Sequence, residues 1–142
     1  MAGRLSRRSW LALLPAAAAV PVRAQPAGAA PADFMARAVA MRDAARTAGD
    51  QPFGAAVVRD GRIVGEAPSA VVTRADPTAH AEMEAIRDAA RRLGTRDLAG
   101  AVLYSTSRPC PMCEAAASWA GIARMIHGET LADAGAPRLS RC

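Results

Sequence analysis

The sequence predicts an α/β fold with helices on both faces of a mixed sheet. Three features carry that expectation. Two short apolar runs flank Asp60-Gly61, the strongest short signal for a β-hairpin and hence for an antiparallel strand pair. Two later runs, "GAVLYSTS" and "ARMIHG", read as strands separated by a helical segment, which makes them a parallel pair. Segments with helical spacing precede and follow the hairpin. The expected order is helix, hairpin, helix, strand, helix, strand.

Residues 1 to 24, "MAGRLSRRSWLALLPAAAAVPVRA", have the three parts of an export signal: Arg4, Arg7 and Arg8, an apolar run from Trp10 to Val20, and small residues Val22 and Ala24 at a cleavage site. "SRRSWL" resembles the twin-arginine motif, with Trp10 where phenylalanine is usual and Ala12 where lysine is usual. The apolar run falls short of the roughly 20 residues that span a bilayer, and no cysteine follows the cleavage point to carry a lipid. An exported, periplasmic protein without a stable membrane anchor is expected.

"QPAGAAPA", residues 25 to 32, reads as a linker, so the folded domain is expected over 33–142. Asp33 can cap a helix whose apolar positions Phe34, Ala38, Met41 and Ala45 follow helical spacing and which ends near Gly49. "FGAAVVRDGRIVGEA" is the hairpin, and residues 68 to 78 form a loop bounded by prolines. Ala79, Met83, Ile86, Ala90 and Leu93 make the expected buried stripe of the second helix, which stops at Gly94. Pro111 suits the first turn of the third helix. The tail "ETLADAGAPRLSRC" is too short for another strand–helix unit, so a shortened C-terminal part is expected.

A chain of 142 residues suggests one domain, and 51% hydrophobic residues suffice for a core. The formal charge of +5 and the absence of lysine invite a nucleic-acid reading. Without the leader, however, 14 basic residues face 13 acidic ones, and the aromatics are Phe34, Phe53, Tyr104 and Trp119. Phosphate neutralisation needs a basic surface and base stacking needs aromatic platforms. Neither is visible, so a small-molecule substrate is favoured over nucleic acid. Three cysteines, two of them in C-x-x-C, do not look like a disulfide framework.

The chemistry-bearing stretches are "DPTAHAEMEAIRDAA" and "RPCPMCEAAASWAGI". Cys110 and Cys113, at i and i+3 at a helix start, turn their sulfurs to one side; alone they fit a redox dithiol as well as two zinc ligands. His80 tips the balance toward zinc. One imidazole and two thiolates leave a fourth position open, the mark of a catalytic zinc, which lowers the pKa of its water to about 7. Glu82, near that water and not a ligand, can move its proton. Glu84 lies two residues on and reads as a solvated helix charge, and Arg124 and His127 read as structural.

H-x-E followed by P-C-x-x-C resembles the signature of the zinc-dependent cytidine deaminase-like superfamily. "DPTAHAE" with "PCPMC" is most similar to its guanine deaminase and tRNA adenosine deaminase branch. The resemblance implies a three-layer α/β/α fold, and Zn2+ held by His80, Cys110 and Cys113. It implies Glu82 as proton shuttle while hydroxide attacks the ring carbon that bears an exocyclic amine and ammonia leaves. It places the Ala81 amide at the substrate's ring edge, Phe53 of "PFGA" beside the base or in the core, and Trp119 over a purine. It also implies a homodimer. At Ser69 the family usually has an asparagine that reads the base; a hydroxyl cannot present an amide's donor and acceptor together. Arg108 stands where a glutamate is usual. The expected function is therefore a zinc-dependent deaminase of a free nucleobase or nucleoside, a purine such as guanine favoured. The alternatives are a catalytically silent zinc-binding paralogue, a periplasmic thiol-disulfide protein and a tRNA adenosine deaminase.

Overall fold

The computed structural model describes residues 29–138. The expected leader, the first half of the expected linker (25–28) and Cys142 lie outside the described residues. Helix α1 (Pro31–Thr47) is followed by strands β1 (Gly54–Arg59) and β2 (Arg62–Pro68), helix α2 (Ala81–Leu93), strand β3 (Val102–Ser105), helix α3 (Pro111–Ala120), and strands β4 (Arg124–His127) and β5 (Ala132–Gly135). The strands form one mixed sheet in the order β2-β1-β3-β4-β5. Only β3 and β4 run parallel; β1 pairs antiparallel with both β2 and β3, and β5 pairs antiparallel with β4.

The hairpin forms where the sequence placed it, with Asp60 and Gly61 both at positive φ (52° and 70°), as a turn matched to strand twist requires. Strand β1 explains the layering. Its side chains alternate: Ala55 and Val57 join the core beneath α2 and α3, while Ala56 and Val58 join Phe34, Met35 and Ala38 of α1. A strand covered on both faces carries a continuous apolar run, and Ala55 to Val58 is that run. Helix α1 therefore lies on one face and α2 with α3 on the other, giving three layers.

Small residues set the close helix–sheet spacing. A Cβ on Gly54 would overlap the backbone of Ala38 and Arg42 in α1, and one on Gly65 would overlap that of Ala85 and Ala89 in α2. This contact corrects the expected stripe of α2. The buried face is Ala81, Ala85 and Ala89, with Ile86 and Leu93 at its margin, while Met83 and Ala90 are only half-buried. Alanines win the centre because the helix backbone packs directly on Gly65.

Two boundaries also differ. Helix α1 starts at Pro31, inside the expected linker, and Asp33 sits at its third position, accepting from the Ala30 amide at 2.8 Å. The tail supplies β5, a strand the sequence did not predict. "ADAG" has no β-branched or aromatic side chain to signal it. It is held by the β4 ladder and by Arg124, whose Nε lies 3.4 Å from Asp133 Oδ2 across the pair.

Candidate metal centre and proton shuttle

Two helix starts meet at the C-terminal end of β3, the central strand of the sheet. His80 caps α2 and Cys110 caps α3, each in extended conformation and neither using its side chain as a cap. Their carbonyls accept the first intrahelical bonds, from Glu84 and Glu114 at 2.9 Å, which leaves imidazole and thiol free to turn toward each other. Pro111, at the first position of α3, fixes that helix start and sets Cys113 one turn in.

The three side chains come together. His80 Nδ1 is 3.7 Å from Cys110 Sγ and 3.6 Å from Cys113 Sγ, and the sulfurs are 3.6 Å apart. Tetrahedral zinc, with bonds of about 2.3 Å to sulfur and about 2.0 Å to nitrogen, separates two sulfurs by about 3.8 Å and sulfur from nitrogen by about 3.6 Å. The donor set and spacing fit zinc. Both cysteines are free thiols. Burial, then the charge of Glu82 and the neighbouring Cys110, push the Cys113 thiol far above its ordinary pKa; a bound cation is what makes such a sulfur a thiolate.

Glu82 is 4% exposed. Its Oε1 accepts from Ser105 Oγ at 2.9 Å, and its Oε2 lies 3.6 Å from Cys113 Sγ. The carboxylate is thus beside the cluster without belonging to it. Ala81 is fully buried at the first position of α2, where an amide has no acceptor inside its own helix.

The expected substrate contacts fare unequally. Phe53 is 38% exposed, so its ring is not core; its carbonyl accepts from the Ser69 amide at 3.0 Å, which sets the two residues side by side. Ser69 is buried and donates to Asp50 Oδ1 at 2.9 Å. Its single proton is committed, and toward any further partner the hydroxyl only accepts. Trp119 is 53% exposed and lies six residues beyond Cys113 in the same helix, about 9 Å along the axis and on another face. Arg108 is exposed, makes no hydrogen bond to either sulfur, and lines a cavity of about 180 Å³ with Glu114, Met125 and Arg138.

Glu84 corrects the sequence reading: it is not solvated. It is buried and sits between Arg74 Nη1 at 2.7 Å and Arg87 Nη1 at 2.5 Å. It ties the loop before His80 to α2. Asp50 is a second anchor that the sequence did not reveal. Besides Ser69 it accepts from the Val72 amide at 3.0 Å and from the Thr73 amide and hydroxyl at 2.8 and 2.9 Å. Burial pushes its carboxyl up, but the bonds from Thr73, Ser69 and Gln51 together outweigh this and hold it well below the usual carboxylate range. A carboxyl depressed on folding stabilises above its unfolded pKa of about 3.9 and loses that contribution as pH falls through its folded value. Asp50→Asn should therefore melt below wild type at pH 7, with the gap narrowing in scans below pH ~4. Equal melting at neutral pH would refute the anchoring role.

Fold and cluster together define a class: three-layer α/β proteins with one His and two Cys around a metal position and a buried carboxylate beside it. The model of the cytidine and deoxycytidylate deaminase zinc-binding region matches residues 30–129, and the chain belongs to that family. It is 47% identical over 88 residues to the guanine deaminase of Bacillus subtilis strain 168, an alignment covering 61% of this chain and 56% of that protein. It is 46% identical over 90 residues to the tRNA-specific adenosine deaminase of Aquifex aeolicus, covering 62% and 60%. The X-ray structure of the B. subtilis guanine deaminase superposes with a TM-score of 0.67 at 40% identity, covering 70% of this chain and 64% of that one. The chain spans under two thirds of the length of these relatives.

Proposed function

We propose that the chain is a zinc-dependent hydrolase that removes the exocyclic amine of a purine base or nucleoside as ammonia. The observation that carries this is the buried Glu82 carboxylate set against a His80, Cys110, Cys113 cluster with zinc spacing. Zinc, when bound there, supplies a nucleophile at neutral pH by lowering the pKa of water to about 7. Glu82 takes a proton from water and delivers it to the departing amine; a C–O bond replaces the C–N bond. In this reading the Ala81 amide binds the ring edge and the exposed Phe53 ring flanks it. The relatives point to a purine, since one is named for guanine and the other for adenosine.

A free base or nucleoside is favoured over tRNA by the charge pattern. Arg37, Arg42, Arg74, Arg87, Arg92 and Arg124 each lie against a carboxylate, which takes their charge out of play for phosphates. The competing reading is a silent zinc-binding module, favoured by the Ser69 proton being spent on Asp50.

Ammonia release by zinc-loaded protein from guanine, adenine, cytosine and their nucleosides decides between them. Turnover should appear on at least one purine. Zinc at about one equivalent with no ammonia from any base would favour the silent module; no zinc and a cycling Cys110–Cys113 disulfide would favour a redox role.

A further inference from the structure

We propose that Ser105 is the positioning residue of the proton shuttle: its hydroxyl holds Glu82 Oε1, so that Oε2 is the oxygen presented to the reacting centre. The proposal rests on the deaminase reading above and adds a residue to it.

Strand periodicity first makes Ser105 an oddity. Side chains at i and i+2 share a face, and Leu103, two residues earlier, belongs to the apolar core beneath α2 and α3. Ser105 therefore points into the same layer, where it is 0% exposed. An apolar side chain would fill that position at no polar cost, whereas a hydroxyl buried without a partner is penalised. The partner is Glu82 Oε1, 2.9 Å away on a different element.

The direction of the bond follows from the donors available. The Ser107 amide donates to Ser105 Oγ at 3.4 Å, and an ionised carboxylate only accepts. The serine proton therefore goes to Glu82. The serine itself is fixed: its strand position is paired with Ala55 on one side and His127 on the other, and its carbonyl accepts from the Gly128 amide at 2.9 Å. A rigid sheet thus holds one carboxylate oxygen, while the other is 3.6 Å from Cys113 Sγ. Ser105 Oγ is the donor that holds Oε1, so removing this hydroxyl takes that bond from a buried carboxylate oxygen. Proton transfer depends steeply on placement, and misplacement by about 1 Å can cost about 100-fold.

The test compares Ser105→Ala and Ser105→Thr with wild type, all loaded with zinc. Alanine removes one atom and should keep the fold and the zinc stoichiometry, with the melting temperature lowered by the loss of one bond to a buried carboxylate. Its kcat on the best purine should fall about 10- to 100-fold with KM within about 3-fold, and threonine, which restores the hydroxyl, should recover most of the loss. A merely structural serine would not split kcat from KM. A crystal structure of Ser105→Ala supplies a readout independent of turnover: the Glu82 carboxylate should leave the position it holds in wild type. Unchanged kcat in Ser105→Ala, a folded Ser105→Thr that recovers nothing, or a Glu82 that stays in place would overturn the proposal. A wild type without turnover on any base would instead overturn the deaminase reading, and the position of Glu82 in the crystal would still decide the role of Ser105.

Discussion

Glu82→Gln is expected to lower kcat by about 10²- to 10⁴-fold, the usual contribution of a positioned general acid–base group, while leaving zinc at about one equivalent. Glutamine keeps the volume and can still accept from Ser105, so packing and fold should survive. What it loses is the capacity to take up a proton and pass it on. The expected drop corresponds to roughly 3 to 5 kcal/mol of transition-state stabilisation. Zinc should stay because the ligands are the His80 imidazole and the two thiols, with the carboxylate beside them. Parallel measurement of ammonia release and metal content separates the two roles. A variant with kcat within a few-fold of wild type would remove Glu82 from the chemistry. A variant that had lost its zinc would make it a ligand or a support for one.

How much of this was legible in the sequence depended on whether a signal was local. Asp60-Gly61 and Pro111 act on their own backbone, and the hairpin and the start of α3 fall where they indicate. The zinc candidates were legible because their spacing within each motif is fixed by a single helix start. Strand β5 was not, because "ADAG" lacks strand-forming side chains and is recruited by the β4 edge. The stripe of α2 departs from the pattern of large apolar residues because the backbone contact at Gly65 selects alanine. The roles of Glu84, Asp50 and Ser105 have no local signal, for a shared reason. A carboxylate or serine near a helix start or strand end usually meets solvent or its own backbone, and here the partners lie in other segments: Arg74 for Glu84, Thr73 for Asp50, Glu82 for Ser105.

Removing the metal should abolish turnover and weaken the fold together, because the same three side chains join separate segments. His80 sits at the end of the loop that Asp50 and Glu84 anchor, and Cys110 and Cys113 open the helix packed beside α2. A cation bridging them holds the two helix starts together. Anything that binds only the folded state stabilises it by mass action, about 4 kcal/mol when free ligand exceeds Kd 1,000-fold. For a domain of this size that is about 10 to 20 °C in Tm. Chelation should lower Tm by that order, and one equivalent of zinc should restore both Tm and ammonia release. Cys113→Ala should reproduce the chelated state without recovering on added zinc, since a buried, fully enclosed ligand has been lost. The burial of Cys113 sharpens the comparison. A thiol held protonated by its surroundings is a poor nucleophile for disulfide exchange, and it becomes a strong metal ligand only once a cation displaces its proton. If chelated protein melted with wild type, or Cys113→Ala kept its zinc, the cluster would not be a metal centre, and the deaminase reading would lose its nucleophile.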